Sequence, residues 1–300
     1  MKIHLAKFEP EHVGGGWAFQ ANLAKAISDD ISNYEDADIY LIAGASMCTL
    51  EEVEQAKDDG KKIVVRVDNI PRNSRNRGTG MARMKQFTDW SALVIYQSNF
   101  CRDLLNSYLQ AKNYTVIYNA TDQNIFNPPE RNAGKNTYLF TRSSDDETKN
   151  WEMARSAFQQ IPEPKTLTIV GRAFDSKISD RNFDFFMGEK FEYIGEIHES
   201  KKMAQVYRSH DTLLYSYFND GCSNTLIEAL CCGMDIRDCY GMLATGGSPE
   251  IMSIFKSEGA KILFIAQNGR RLQTIVRENI ATDSKICSLL ASSHKQIGVK

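Results

Sequence analysis

The sequence lacks long apolar runs and lacks an export signal. No hydrophobic stretch reaches the roughly 18–20 residues that span a bilayer, and the opening residues Met-Lys-Ile-His-Leu contain no apolar signal-peptide core. These absences argue against a transmembrane helix and against a secreted precursor. We therefore predict a cytoplasmic protein.

Cysteine is sparse and shows no paired spacing. The number of cysteines is odd, and none of them forms the C-x2-C pattern of a zinc site or a disulfide framework. They stand at positions 48, 101, 222, 231, 232, 239 and 287. We predict reduced thiols, no bound metal and no cofactor, with the adjacent Cys231 and Cys232 buried late in an apolar helix.

Positive and negative charges are nearly balanced, since the sequence has 36 Lys and Arg and 38 Asp and Glu, for a net charge of −2. Proline is rare, with seven in 300 residues, and 42% of the residues are hydrophobic. This composition is typical of a globular protein long enough to form two compact cores. A uniformly basic nucleic-acid-coating protein is excluded.

Short apolar runs alternate with amphipathic segments along the whole chain, which predicts βαβ units and largely parallel sheets. Predicted strands lie near 2–7, 38–43, 62–67, 92–96, 114–118, 137–141, 166–171, 191–194, 212–217 and 261–265. Predicted helices lie near 16–28, 50–58, 80–88, 98–110, 149–159, 199–209, 223–232, 248–256 and 268–279. The predicted fold class is α/β, with two doubly wound Rossmann-like domains facing across a cleft.

The segment Asn127-Pro-Pro-Glu-Arg-Asn-Ala-Gly134 is rich in turn formers and poor in apolar residues, as an interdomain linker is. We place the domain boundary there. The predicted domains are 1–128, on the acceptor side, and 129–280, which binds the donor. A tail at 281–300 is expected to pack back on the first domain.

The most informative segment is Asp220-Gly-Cys-Ser-Asn-Thr-Leu-Ile-Glu228, followed by Ala-Leu-Cys-Cys-Gly233. Two carboxylates eight positions apart flank a turn that opens a helix. A helix start offers N–H groups and partial positive charge to phosphate, and carboxylates accept hydrogen bonds from sugar hydroxyls. The alternative is structural: Thr225-x-x-Glu228 is also a capping box, and Gly233 suits the end of the helix.

This segment resembles the Glu-x7-Glu motif of retaining GT-B glycosyltransferases of family 4, with Asp220 in place of the first Glu. The resemblance extends, in order, over further elements. Val116-Ile-Tyr-Asn-Ala-Thr-Asp122, leading to Phe126 and Pro128, is similar to the end of the family's first domain, where Phe126 would anchor the linker. Gly246-Gly-Ser-Pro-Glu-Ile251 is similar to a later element, although residues 234–243 depart from the family pattern.

The resemblance implies a nucleoside-diphosphate sugar, such as a UDP-sugar, as donor substrate. Tyr138-Leu-Phe-Thr-Arg142 and Lys149-Asn-Trp151 are similar to the family's G-R and K-N elements, which implies that Arg142 and Lys149 hold the donor phosphates. Fixed cations stabilise the charge that develops on a leaving diphosphate. Asp220 would then bind sugar hydroxyls, Ser223, Asn224, Thr225 and Leu226 would face phosphate, and Glu228 would bind the ribose diol.

Two glycine elements complete the predicted donor site. Gly171 ends a strand at a position that shapes the base-binding side in similar enzymes. Gly14-Gly15-Gly16 follows the first strand and would let the backbone approach the diphosphate. An NAD-dependent oxidoreductase is a further alternative for this loop, but the third glycine of G-x-G-x-x-G is missing.

The first domain departs from the family at its histidine. Relatives carry a His-Asp pair near an I/L-P dipeptide, whereas this chain reads Val67-Asp68-Asn-Ile-Pro71. Asp68 is retained as a candidate catalytic residue. Either Arg66, His12 or a backbone group takes the place of the histidine, or the chemistry differs in detail. Arg142, Lys149 and Asp220 are the other predicted catalytic residues.

A basic segment follows directly, and it contains Arg72, Arg75, Arg77, Arg83 and Lys85 with no acid before Asp89. In a chain near neutrality this cluster predicts an anionic acceptor, such as hydroxymethylated DNA, a lipid headgroup or a sugar phosphate. A solvated loop, or arginines that serve the donor, is the structural alternative. DNA would require the modified base to be flipped out.

The sequence thus predicts a glycosyltransferase of hexosyltransferase type that transfers a sugar with retention of configuration to an acceptor hydroxyl. The alternative acceptor is a glycan or lipid-linked glycan. A second class of function is a non-catalytic module that binds nucleotide or polyanion. The sugar, the nucleobase and the oligomeric state cannot be read from the sequence.

Overall fold

A computed structural model of the chain describes residues 1–7, 15–68, 80–122, 124–129, 134–143, 150–171 and 191–258. These residues form two compact units that meet in sequence between Ala120 and Thr121. The domain limits predicted from the sequence stay predictions. Among the described residues, no helix is long and apolar enough to cross a membrane.

The first unit contains a five-stranded parallel sheet in the order β1-β2-β3-β4-β5. Its strands are β1 Ile3–Leu5, β2 Ile39–Ile42, β3 Lys62–Val67, β4 Leu93–Tyr96 and β5 Tyr114–Val116. Its helices are α1 Gly15–Ala26, α2 Leu50–Asp58, α3 Gly80–Trp90 and α4 Asn99–Leu109. All four residues of β2 and all four of β4 are buried, as expected for parallel strands covered on both faces.

Alternate residues of these strands enter different cores. Ile42 and Tyr96 share one core with side chains from α2, α3 and α4, while Leu41 and Ile95 share another with Leu23 of α1. A strand presents successive side chains to opposite faces, so both faces of the sheet are covered by helices. This is a doubly wound arrangement.

The chain reverses its direction across this sheet at β1. Ile3 pairs with Ile39 of β2, and it also forms a parallel bridge with Ile31, which follows α1. Because β2 occupies one edge of β1, Ile31 lies on the opposite edge. The glycine-rich segment at 14–16 therefore follows the strand at which the order reverses, the usual place for a ligand in an open α/β sheet.

The second unit contains a five-stranded parallel sheet in the order β10-β9-β6-β7-β8. Its strands are β6 Thr137–Ser143, β7 Thr166–Gly171, β8 Phe191–Tyr193, β9 Thr212–Tyr215 and β10 Asp235–Asp238. Its helices are α5 Trp151–Gln159, α6 Ser200–Ser209, α7 Asn224–Cys231 and α8 Ser248–Glu258. The chain runs outward from β6 through β8 and then returns to β9, so the order reverses between β6 and β9.

Residues 121–129 belong to the second unit and are tied to it. The buried Phe126 ring lies 6.2 Å from the Tyr207 ring, and the Arg208 guanidinium donates to the Ile125 carbonyl at 2.9 Å and to Asn127 Oδ1 at 3.1 Å. The anchoring role predicted for Phe126 is therefore observed.

β10 was not predicted as a strand, because its sequence Asp-Ile-Arg-Asp has no apolar run. Among the described strands it pairs with β9 alone, which places it at the edge of the described sheet, and three of its four residues are exposed. An edge strand tolerates charged side chains, which also prevent pairing with other chains. The strand predicted at 261–265 and the helix predicted at 268–279 lie outside the described residues.

Candidate functional site

The carboxyl ends of β6 and β9 lie side by side where the strand order of the second sheet reverses. They are joined by side chains as well as by the sheet. The Tyr217 hydroxyl donates to the Thr141 carbonyl oxygen at 2.8 Å, and the Thr141 hydroxyl lies 2.7 Å from the same phenolic oxygen. Both residues are buried. Ligands of open α/β sheets bind at this kind of edge, so this is the candidate site.

Asp220 lies in the loop that follows β9, and only 8% of its surface is exposed. Its Oδ1 atom accepts a hydrogen bond from the Cys222 N–H at 3.3 Å, which closes a turn directly before α7. Asn219, one residue earlier, adopts a left-handed backbone with φ of 49°. The carboxylate is thus placed by the conformation of the loop.

The segment 245–247 supports this loop from the side. Gly247 N–H donates to the Asp220 carbonyl oxygen at 2.8 Å, and Asn219 N–H donates to Thr245 Oγ1 at 3.3 Å. Between these two bonds, Gly246 has φ of 62°, and a Cβ atom there would lie 2.5 Å from the Asp220 carbonyl oxygen. Only glycine permits this close backbone approach.

Helix α7 begins at Asn224, and Ser223 is its N-cap residue. The Ser223 side chain accepts from the Leu226 N–H at 3.3 Å, which engages one of the amides predicted to face phosphate. The alternative capping box at Thr225 and Glu228 is wrong, because Thr225 lies inside the helix. Gly233 does close the helix, with φ of 79°.

Hydroxyl groups are buried beneath the start of α7. The Tyr215 hydroxyl lies 2.6 Å from Ser248 Oγ, and it is also hydrogen-bonded to the Ser223 side chain. Burial raises the pKa of Tyr215 strongly, and the negative charge of Asp220 raises it further. The phenol therefore stays neutral and acts as a structural hydrogen-bonding group.

Glu228 lies in the second turn of α7 and is partly buried. Its Oε2 atom accepts a hydrogen bond from the Tyr207 hydroxyl at 3.2 Å. Tyr207 belongs to α6, and burial followed by the charge of Glu228 raises the pKa of this phenol well above its ordinary value. A neutral phenol is the form that donates to a carboxylate.

Gly171 ends β7 and is hydrogen-bonded to the last residue of β8 and to the segment that follows it. Its N–H donates to the Gly195 carbonyl oxygen at 2.9 Å, and its own carbonyl accepts from the Tyr193 hydroxyl at 2.7 Å. Both glycines have positive φ angles, 124° for Gly171 and 74° for Gly195. Arg142 lies in β6, but its side chain is outside the described residues, as is Lys149.

In the first unit, Arg66 occupies the carboxyl end of β3 with 3% of its surface exposed. Its guanidinium donates to the Ala43 carbonyl at 3.1 Å, to Gln97 Oε1 at 2.9 Å and to Asn119 Oδ1 at 2.6 Å. The Phe19 ring of α1 lies 3.8 Å from the guanidinium carbon. Because these oxygens follow β2, β4 and β5, Arg66 joins the ends of three strands.

Asp68 follows β3 and is partly buried. Its Oδ2 atom lies 3.2 Å from the position of a Cβ atom built on Gly44, which follows β2. The absence of a side chain at Gly44 therefore makes room for this carboxylate. Gly15 and Gly16 are the first residues of α1, while Gly14 and His12 lie outside the described residues.

Of the basic segment, the structure describes the two residues that lie on α3. The Lys85 ammonium forms an ion pair with Asp89 four residues later, which offsets part of its charge. Arg83 is partly buried and lies close enough to Cys48 to act on its ionisation. Arg72, Arg75 and Arg77 lie outside the described residues.

Six of the cysteines are described; all six are free, as predicted, and all six are buried, as predicted for Cys231 and Cys232. Burial raises the pKa of Cys48, Cys232 and Cys239 to about 12 and that of Cys231 to about 11. Within the described ranges, no group of three or more His, Cys, Asp or Glu residues is arranged to hold a metal ion. The prediction of metal-free chemistry stays a prediction.

No protein-family model matches the sequence, and no curated protein matches it. Solved structures match nearly the whole chain. HepE from Anabaena, in complex with UDP and glucose, is similar with a TM-score of 0.65 at 13% identity, over 99% of this chain and 100% of that chain. The chain has the GT-B fold.

Two further structures have the same fold. Sucrose-phosphate synthase from Thermosynechococcus elongatus has a TM-score of 0.60 at 14% identity, over 97% of this chain and 99% of its own. The lipopolysaccharide outer core galactosyltransferase WaaB has a TM-score of 0.59 at 14% identity, over 92% of this chain and 99% of its own. The predicted α/β class with two Rossmann-like domains is confirmed, and the activity has to be argued from the site.

Proposed function

We propose that this protein is a glycosyltransferase that transfers a hexose from a nucleoside-diphosphate sugar to an acceptor hydroxyl. The observation that carries the proposal is the placement of Asp220 and Glu228 on either side of the start of α7, at the sheet edge where the strand order reverses. A UDP-sugar is the first donor to test, because HepE was solved with UDP-glucose and shares the fold.

The proposed roles follow from the chemistry of each group. The buried Asp220 accepts hydrogen bonds from sugar hydroxyls, and Glu228 accepts them from the ribose diol. Helix α7 directs its positive dipole end and the first-turn amides that its N-cap does not engage toward the diphosphate. Arg142 and Lys149 supply the cations that stabilise the leaving diphosphate, with no metal ion taking part. Asp68 serves on the acceptor side.

The site assignment is tested by Glu228→Ala and Lys149→Ala. Each variant is expected to abolish donor hydrolysis and sugar transfer while the protein stays folded, as judged by a cooperative thermal unfolding transition. The exposed Lys135 and Glu163 provide matched controls, since they precede β6 and β7 at the amino ends of these strands, opposite the site, and alanine at either position removes a charge from the same unit. Wild-type turnover in both Glu228→Ala and Lys149→Ala would contradict the assignment.

Retention of configuration is part of the proposal and rests on the resemblance of the Asp220–Glu228 segment to retaining enzymes. It is read directly from the anomeric configuration of the first-formed product by NMR. A product of inverted configuration would remove retention from the proposal and leave the donor site standing.

The proposed acceptor is anionic, because the basic residues between Arg72 and Lys85 form a local cluster in a nearly neutral chain. Hydroxymethylated DNA is the acceptor that this cluster suits most directly, since arginine and lysine contact phosphates. Transfer is measured on hydroxymethylated DNA, on a lipid-linked glycan and on a neutral oligosaccharide. A steep loss of acceptor affinity with rising salt supports a polyanion, and a flat response supports a neutral glycan.

A further inference from the structure

The side chain of Glu228 is held in place by a hydroxyl that belongs to another helix. The Tyr207 hydroxyl donates to Glu228 Oε2 at 3.2 Å, and the Thr225 side chain lies close enough to the same hydroxyl to influence its pKa. Thr225 and Glu228 are three residues apart in α7, so they lie on one face of the helix. Tyr207 therefore packs against the face of α7 that carries Glu228.

Tyr207 is itself rigidly placed. Only 1% of its surface is exposed, and its ring packs 6.2 Å from the buried Phe126 ring. A phenol has few rotatable bonds, and a buried phenol in a packed core keeps one orientation. The hydrogen bond to Glu228 is therefore preorganised, because the donor cannot turn toward solvent.

We infer that Tyr207 is a positioning residue that fixes the Glu228 carboxylate for the ribose diol and so favours nucleotides with an intact ribose. The inference rests on the proposed function. A glutamate side chain has three rotatable bonds, and an acceptor that is already fixed loses less entropy when a ligand binds. A site built to hydrogen-bond a hydroxyl also discriminates against the analogue that lacks it.

The test compares UDP with 2′,3′-dideoxy-UDP as ligands of the full-length protein, by isothermal titration calorimetry. The wild type is expected to prefer UDP, and Tyr207→Phe is expected to reduce that preference about tenfold by weakening UDP alone. The affinity of Tyr207→Phe for the dideoxy nucleotide should stay within about twofold of the wild-type affinity, because the lost tyrosine hydroxyl affects binding only through the ribose diol. Glu228→Gln should reduce the preference at least as far.

Tyr96→Phe is the matched control for the removal of a buried hydroxyl. Tyr96 is fully buried in the first unit, and its hydroxyl donates to Asn106 Oδ1 at 2.8 Å. This variant should change stability by a similar amount and leave the UDP preference unchanged. If Tyr207→Phe does not fold, Thr225→Val replaces the polar side chain next to the phenol and is expected to reduce the preference to a smaller extent.

Three results would overturn the inference, and they are distinguishable. An unchanged preference in Tyr207→Phe, with the preference lost in Glu228→Gln, refutes the role of Tyr207 and leaves the donor site intact. Equal weakening of both nucleotides assigns Tyr207 a purely structural role. A wild type that binds both nucleotides equally refutes the placement of the ribose at Glu228, and the inference fails with it.

Discussion

Gly246 is the position where one methyl group is expected to damage the site most. The Cβ atom of Gly246→Ala would lie 2.5 Å from the Asp220 carbonyl oxygen and 2.9 Å from both the Cα and the carbonyl carbon of Asn219. All three contacts are with backbone atoms, which cannot rotate away as a flexible side chain does. The loop that carries Asp220 must therefore move.

The expected cost has two parts. An alanine at φ of 62° is strained by roughly 1–2 kcal/mol relative to glycine. Overpacking against backbone adds roughly 1–3 kcal/mol. To restore ordinary contact distances the loop has to shift by about 1 Å, and a misplacement of that size lowers turnover by about 10²-fold where placement matters.

Gly241 supplies the matched control in the same unit. Its φ is 79°, and a Cβ atom there meets nothing within 4 Å, so Gly241→Ala carries the backbone strain without the contact. It should cost roughly 1–2 kcal/mol and leave donor turnover unchanged. The difference between the two variants isolates the contact with the Asp220 loop.

Three measurements decide the outcome: urea unfolding, donor hydrolysis, and hydrogen exchange in peptides that cover 216–226 and 245–251. Exchange should increase at Gly247 in Gly246→Ala, because its N–H donates to the Asp220 carbonyl oxygen. If Gly246→Ala and Gly241→Ala were equal in stability and in turnover, the support of Asp220 by residues 245–247 would be refuted.

Three further predictions concern the cores of the units. Arg66→Lys should destabilise the first unit by about 1.5–3 kcal/mol, because an ammonium cannot reach the three oxygens to which the guanidinium donates. A urea unfolding midpoint at or above that of the wild type would contradict this prediction. The six described thiols should react slowly with a disulfide reagent in the folded protein at pH 8, and rapid native-state reaction of those thiols would contradict their burial. Burial raises the pKa of Cys48, Cys232 and Cys239 from 9.0 to about 12. The contribution of these neutral thiols to the free energy of unfolding is therefore complete below pH 9 and falls as the pH rises toward 12. The midpoint of urea unfolding should accordingly be lower at pH 10 than at pH 8.

The regular elements were predictable because periodicity alone defines them. The strands β3 and β7 and the helix α2 have the predicted bounds. Their sequences follow a regular apolar pattern, and their ends carry strong signals, such as the Thr49 capping box at the start of α2. β10 was missed because an edge strand needs no apolar run. Its pairing with β9 comes from backbone hydrogen bonds, which the side-chain pattern does not report.

The predicted start of α7 is one residue too early, and the alternative capping box at Thr225 differs from the observed cap at Ser223. Ser223 and Thr225 are both good N-cap residues, and local sequence preference does not separate them. The tertiary structure determines which residue caps the helix, because Ser223 is buried beside the Tyr215 hydroxyl and Thr225 lies near the Tyr207 hydroxyl. A single sequence does not reveal contacts between residues that are distant along the chain.

The two acids of the candidate site are fixed by different means, which explains what the sequence revealed about each. Asp220 is placed by the Gly247 N–H, which donates to its carbonyl oxygen, and by the Asn219 N–H, which donates to Thr245 Oγ1. The glycine-rich composition of residues 245–247 is a local signal of this support. Glu228 is placed by a side chain, that of Tyr207, 21 residues earlier. A tyrosine in an amphipathic helix predicts only a core position, so its contact with the carboxylate emerges when α6 packs on α7. The spacing of the acids could be read from the sequence, whereas the groups that orient them depend on the fold.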